Sequence, residues 1–332
     1  MKTRRVLTVC LLLALLAGCR ERRYFFHGGR VFGTTYSVRY EHARDLRAGI
    51  EAALARVDSS LSMFNEASLL SRLNRDEEAP LDSLFTRVFG QARRVHERTG
   101  GAFDITVAPL VEAWGFGRGE GGVPAAREVD SLLSFVGMHR LSLRDGRLVK
   151  EKKGIRLDAG AIAKGLGVDE VARFLEGEGT LNYLVEVGGE VRVKGRSERR
   201  DAWWVGVHEP AGGVDSLTGR SSRLVAVMRD GALATSGNYR NFRDREGTRF
   251  GHTINPLDGY PVQRDIVSAS VYASTCMEAD AYATAFMVLG LQESRRIVEA
   301  DPGLEACFIF LDEAGERQTW LSDGFREMLL KE

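Results

Sequence analysis

Residues 157–169, LDAGAIAKGLGVD, set one lysine, Lys164, and an acidic residue, Asp158, among small residues. Asp158 stands where a short strand from Ile155 to Leu157 should end, and Ala159, Gly160, Ala161, Ala163, Gly165 and Gly167 surround Lys164. From 161 to about 175 the spacing of apolar residues predicts a helix. A strand that breaks through glycine into a helix leaves unpaired N–H groups at the helix start, and with the helix dipole they favour an anion. Lys164 adds a full positive charge. Asp158 offers a carboxylate to a hydroxyl, an amine or a metal-bound water. On local pattern alone the structural alternative stands beside this one: Asp158 caps the helix and the small residues let it pack closely.

Three further stretches carry candidate chemistry. In 274–289, STCMEADAYATAFMVL, Asp280 and Thr284 fall at i and i+4, so a helix puts both on one face. A carboxylate and a hydroxyl near a backbone carbonyl suit Mg²⁺, which keeps several waters and usually also holds substrate phosphate. Alternatively, Thr284 bonds back to its own helix and Asp280 caps the first turn. In 252–259, HTINPLDG, His252 precedes a Pro-Leu-Asp-Gly turn at a predicted strand end. Histidine carries protons near neutral pH, although a lone one is often structural. In 100–106, Gly100-Gly101 leads into Ala102-Phe103-Asp104-Ile105-Thr106. The ring can stack on a base and the carboxylate can bind its amine; equally, the pair can be a core phenylalanine beside a helix cap.

Positioning these stretches requires a sizeable fold. The 332 residues, 44% hydrophobic and 28% charged, have the composition of a globular protein. The 46 basic and 46 acidic residues balance, which argues against nucleic acid as a partner. Helices are predicted over 42–60, within 61–74, over 81–99, from 106 through Trp114, and over 125–136, 277–289 and 293–300. Strands are predicted over 30–40, with Gly33 inside, and over 203–208, 223–228, 232–235, 252–255, 266–272, 306–311 and 318–321. Residues 139–150 read as a hairpin, and 181–194 as two strands about Gly188-Gly189. Residues 115–122 and 209–222 read as loops. Strands and helices do not alternate regularly, so the class is α+β: a largely antiparallel sheet with flanking helices. No linker divides the chain, which favours one domain, with two lobes as the alternative.

The N-terminus departs from this composition. Lys2, Arg4 and Arg5 precede an apolar run over 6–17, too short to span a bilayer, then Gly18 and Cys19. This pattern predicts a secretory signal over 1–18 and a short tether over 19–29 ahead of the domain at 30–332. Leu16-Ala17-Gly18-Cys19 resembles the bacterial lipobox, which implies cleavage before Cys19 and lipids on that residue. The protein would then be extracytoplasmic, anchored on the periplasmic side of a bacterial membrane. Cys276 and Cys307, each beside an apolar run, read as buried free thiols.

In this order and behind a lipobox, the four stretches resemble the ApbE family of FAD:protein FMN transferases. The family's D-x-G-x-x-A-K-G reads Asp158 to Gly165, its A-D-x-x-A/D-T reads Ala279 to Thr284, and HTINPLDG lies between them. The resemblance runs from Phe32-Gly33-Thr34 to Thr284. It implies FAD contacts at Ala102, Phe103, Asp104, Asp158, Lys164 and the Ile254 backbone. It also implies Mg²⁺ on the Ala161 carbonyl, Asp280 and Thr284, and His252 as catalytic candidate. Phe32 stands where the family often has methionine, and Phe64 where it often has tyrosine. Both are flavin-contact positions, and Phe64 keeps the stacking face without the hydroxyl. Ala283 replaces an acidic residue of some members, which argues against a second metal ion.

The implied reaction is attack by a threonine or serine hydroxyl of a redox protein on the FMN-side phosphorus of FAD, releasing AMP. From the family, acceptors are subunits of respiratory or ion-pumping complexes. Two alternatives share the site: a hydrolase that splits FAD to FMN and AMP, and a non-catalytic FAD-binding lipoprotein.

Overall fold

Phe32 and Gly33, with φ of 52° and 75°, form a two-residue turn between β1 (Arg23–Val31) and β2 (Thr34–His42). Positive φ at both central positions is the turn whose twist matches paired strands. The predicted strand over 30–40 is therefore a hairpin. The predicted tether is corrected too, because from Arg23 onward it is the strand β1, paired with β2 along its whole length. A phenylalanine in the left-handed region carries a backbone cost, and this one faces the cavity described below.

The computed structural model describes residues 22–117, 122–207, 224–237, 242–245 and 248–330. The predicted signal over 1–18, Cys19, the loop over 209–222 and part of that over 115–122 lie outside them.

The hairpin opens an eight-stranded sheet, antiparallel at every described pairing. Its remaining strands are β5 (Tyr183–Val187), β6 (Glu190–Lys194), β9 (Asp230–Gly237), β12 (Ile266–Ala273), β13 (Glu305–Leu311) and β14 (Arg317–Leu321), in the order β1-β2-β5-β6-β9-β12-β13-β14. Three two-stranded ribbons complete the strands: β3 (Leu141–Arg144) with β4 (Arg147–Lys150), β7 (Trp203–Gly206) with β8 (Val225–Met228), and β10 (Phe242–Arg245) with β11 (Thr248–Gly251). The α+β expectation holds: one large antiparallel sheet carries helices against it, beside the smaller ribbons. Among the described residues no helix is long and apolar enough to cross a membrane.

The helices are α1 (Arg47–Leu61), α2 (Leu69–Asn74), α3 (Ser83–Arg98), α4 (Ala108–Ala113), α5 (Ala126–Leu133), α6 (Ala163–Gly177), α7 (Cys276–Leu289), α8 (Leu291–Ala300) and α9 (Asp323–Met328). The β10–β11 ribbon and α9 were not predicted. The strand predicted over 252–255 reduces to a single bridge, Ile254 with Pro261.

Helix α7 is buried on nearly all sides, from Ala279 to Val288 with Thr284 the half-buried exception. It packs against α6 and α3 and lies on β9 and β12. Alanines at 279, 281, 283 and 285 let neighbours approach, while stacked Tyr282 and Phe286 carry the bulk of the core contact. Its closest crossing is with α6 at Gly165. A Cβ there would stand 2.3 Å from the Cys276 carbonyl oxygen and 2.8 Å from the Met277 Cα, both backbone atoms that cannot move aside. The glycine of the Lys164-Gly165 pair therefore exists for packing, and the packing brings the two candidate stretches together.

Candidate active site

Where α6 crosses α7, the Gly165 N–H donates to Asp280 Oδ2 at 3.0 Å. An ordinary helix would send that N–H to the Ala161 carbonyl four residues back. Here no backbone N–H donates to Ala161 among the described residues, so its carbonyl is released as an acceptor. No side chain caps α6. On α7, Asp280 is almost wholly buried, and Thr284 one turn on meets Ser236 at 3.1 Å between hydroxyl oxygens.

Residues 155–157 join no sheet among the described residues, which corrects the predicted strand. Asn74 at the end of α2 substitutes for a neighbouring strand: its Nδ2 donates to the Leu157 carbonyl at 2.8 Å, and its Oδ1 accepts from the Leu157 N–H at 2.7 Å. The Asp158 N–H donates to the Ile105 carbonyl at 2.6 Å. Asp158 Oδ1 accepts from the Gly160 N–H at 2.6 Å. Burial raises this carboxyl above the usual carboxylate range, against the pull of the Gly160 N–H and Lys164.

Lys164 Nζ lies 3.2 Å from the Gly160 carbonyl, 3.3 Å from Glu190 Oε1 and 3.5 Å from Asp280 Oδ1. Burial opposes its charge, but Asp280 and Glu190 outweigh burial and hold the ammonium above its ordinary value. For Glu190, burial raises the carboxyl, Lys164 at 3.3 Å pulls it back toward the charged form, and the nearby Asp280 adds to the rise.

These groups border a cavity of about 710 Å³, within the range of small-molecule sites. Its lining includes Phe32, Phe64, Ala102, Phe103, Asp104, Asp158, Ala161, Lys164, His252, Ile254 and Thr284. Every predicted site residue within the described chain is thus at the cavity except Asp280, which lies directly behind the wall. Phe64 is 69% exposed at the rim, free to cover or stack on a bound ring. His252 is half-buried.

Asp104 differs from its predicted use as an amine ligand. Its Oδ1 accepts from the Thr106 N–H at 2.8 Å and the Thr106 hydroxyl at 2.5 Å; its Oδ2 accepts from the Met138 N–H at 3.0 Å and lies 3.3 Å from His96 Nδ1. The carboxylate fixes the loop over 102–106, and Phe103 is buried in the core. The core alternative describes Phe103, but Asp104 caps no helix, since Val107 precedes the next one; both residues still line the cavity. Cys276 and Cys307 are buried and form no disulfide among the described residues, as expected.

Glu190, Thr235, Ser236 and Asn74 were missed. Glu190 belongs to a row that alternation alone cannot interpret. Residues 190, 192 and 194 of β6 share one face and pair with helix α6: Glu190 with Lys164 at 3.3 Å, Arg192 with Asp169 at 2.7 Å, and Lys194 with Glu176 at 3.0 Å. A charged face on a strand reads as solvent-exposed; here α6 covers it.

Among the described residues no group of three or more His, Cys, Asp or Glu side chains is placed to hold a metal ion. The donors present are one carboxylate, one hydroxyl and one released carbonyl. This all-oxygen set suits Mg²⁺, which retains waters and takes the remaining ligands from phosphate, and does not suit a closed Zn²⁺ cage.

A model described as the ApbE family matches residues 32–308. The FAD:protein FMN transferase of Vibrio cholerae is 35% identical over 301 residues, covering 87% of this chain and 89% of that one. The protein of the same name from Escherichia coli K12 is 29% identical over 318 residues, covering 92% and 89%. Among solved structures, the flavin transferase ApbE from Vibrio cholerae superposes with a TM-score of 0.82 at 31% identity, covering 93% of this chain and all of that one. The apo form of the Pseudomonas stutzeri flavinyl transferase ApbE gives 0.81 at 29%, covering 92% and 97%.

Proposed function

The chain belongs to the ApbE family, and from that membership we propose that it transfers the FMN half of FAD to a threonine or serine hydroxyl of a target protein. The observation that carries this reading is the Gly165–Asp280 bond beside the cavity, which joins the two motif segments at one wall. The acceptor oxygen forms a bond to the FMN-side phosphorus, the phosphorus–oxygen bond to the AMP half breaks, and AMP leaves. Such a transfer depends on positioning and charge neutralisation more than on covalent help.

The Ala161 carbonyl, Asp280 and Thr284 would hold Mg²⁺. Bound there, the ion supplies the positive charge that phosphoryl oxygens need as the bridge breaks. Lys164, kept protonated, contributes a second positive centre at the same wall. Phe32 and Phe64 offer apolar faces to the isoalloxazine or adenine ring. His252 takes the proton of the incoming hydroxyl.

The test mixes the protein with FAD and Mg²⁺, with and without an acceptor protein, and follows AMP. Release that requires acceptor is expected. Release without acceptor identifies a hydrolase, and no release identifies a binding protein. In the same assay His252→Ala is expected to slow acceptor flavinylation by about 10²-fold; a wild-type rate removes His252 as the base.

The lipobox supports a lipid on Cys19, on the periplasmic side of a bacterial membrane. Only Arg20, Glu21 and Arg22 separate that residue from β1, so the domain would sit close to the bilayer. Cells fed an alkyne fatty acid should label the wild-type protein in the membrane fraction and leave Cys19→Ser unlabelled. Equal labelling of the two would exclude Cys19 as the anchor.

A further inference from the structure

Glu190 has no place in the reaction just described, yet its side chain is only 5% exposed and borders the same cavity. Oε1 pairs with Lys164 at 3.3 Å, and Oε2 has no hydrogen-bond partner among the described residues. A buried carboxylate kept solely for structure satisfies both oxygens from the protein. Here the second oxygen is left for something the cavity brings in.

The arrangement around Lys164 shows what the carboxylate is for. One ammonium lies between two carboxylates, at 3.3 Å from Glu190 and 3.5 Å from Asp280. Asp280 is the only carboxylate among the proposed metal donors. An ammonium that neutralises Asp280 competes with any divalent ion for it, because both want the same negative charge in a site largely shielded from water. We propose that Glu190 is a positioning residue: it is the counter-ion that retains Lys164 at the cavity wall when a divalent cation takes Asp280. With Glu190 present, Lys164 gives up one contact of three and keeps an anionic partner and the Gly160 carbonyl. Without it, Asp280 is the one carboxylate left within ion-pair distance of Lys164 among the described residues, and lysine and metal compete for it directly. Oε2 is then available to accept from a water on the bound ion.

This inference rests on the proposed metal site, and the experiment separates the two. Mn²⁺, as a probe for Mg²⁺, is titrated by calorimetry into wild type, Asp280→Asn, Glu190→Gln, Glu190→Asp, Lys164→Met and the Glu190→Gln/Lys164→Met double variant. Thermal melts accompany each titration. Glu190→Gln is expected to weaken Mn²⁺ binding about tenfold or more. The double variant, which removes the competing ammonium as well, should return to within about threefold of wild type, and Glu190→Asp should stay close to it. A purely structural role for Glu190 predicts a loss that the second substitution does not repair. The proposal is overturned if Glu190→Gln binds Mn²⁺ like wild type, or if its defect persists in the double variant. If Asp280→Asn binds Mn²⁺ like wild type, the metal site itself is wrong and this inference falls with it.

Discussion

Asp280→Asn should reduce AMP release and acceptor flavinylation by about 10³-fold at saturating FAD and millimolar Mg²⁺, with the melting temperature within a few degrees of wild type. The asparagine keeps the size of the side chain and an oxygen for the Gly165 N–H, which Asp280 now accepts at 3.0 Å. The packing of α6 on α7 therefore survives. What disappears is the one negative charge among the proposed metal donors, since Thr284 and the Ala161 carbonyl are neutral. Loss of about 4 kcal/mol of charge stabilisation in the transition state corresponds to about three powers of ten in rate. Lys164 also loses one of its two carboxylate partners and turns wholly to Glu190. Equilibrium dialysis with labelled FAD separates binding from chemistry: the variant should still take up FAD through the apolar walls of the cavity. An enzyme that releases AMP at near wild-type rate after this substitution does not use Asp280 as a metal ligand.

The residues that make this prediction possible differ in how openly the sequence displays them. Lys164, Gly165 and the small residues around them announce a tight helix start, and the crossing at Cys276 is what they serve. Asp280 and Thr284 share a helix face by spacing alone, but spacing cannot say what stands opposite that face. Only the family resemblance joined them to Ala161. The antiparallel sheet was legible from short strands without regular intervening helices. Its first strand was not, because Gly28, Gly29 and four arginines between 20 and 30 read as a linker, and only pairing with β2 makes them a strand. Segment 155–157 shows the opposite failure. Its alternation suggests a strand, yet the Leu157 N–H and carbonyl bond to the Asn74 side chain and not to a ladder. Glu190 was invisible for a third reason. The period-2 pattern of EVRVK assigns two faces correctly but cannot tell which one a helix will cover.

Removing the charge of Asp169 should have the largest effect on stability. This residue lies on the buried side of α6, and its oxygens hold three donors from two other elements. Oδ1 accepts from Arg192 Nη1 at 2.7 Å and from the Cys276 N–H at 3.0 Å, and Oδ2 accepts from the Met277 N–H at 2.9 Å. The two N–H groups belong to the first turn of α7, so Asp169 caps the helix that carries Asp280 and Thr284. Thr275 caps it as well, from the Glu278 N–H. Asp169→Ala leaves the half-buried Arg192 guanidinium without its closest carboxylate, with Glu176 next at 4.0 Å, and orphans two helix-start donors. Breaking a buried pair from one side costs about 3–5 kcal/mol. For a chain of this length that corresponds to a fall in melting temperature of about 6–10 °C. Adding Arg192→Leu should recover part of the loss, because the stranded charge is gone, whereas the two N–H groups of α7 stay unpaired in both variants. Mn²⁺ affinity should then track the cap and not the ion pair: weakened in Asp169→Ala, still weakened in the double variant, and largely kept in Arg192→Leu alone. A melting temperature within about 2 °C of wild type in Asp169→Ala would mean that α7 is held by its apolar faces alone, and the cap has no part in aiming Asp280 at the cavity wall.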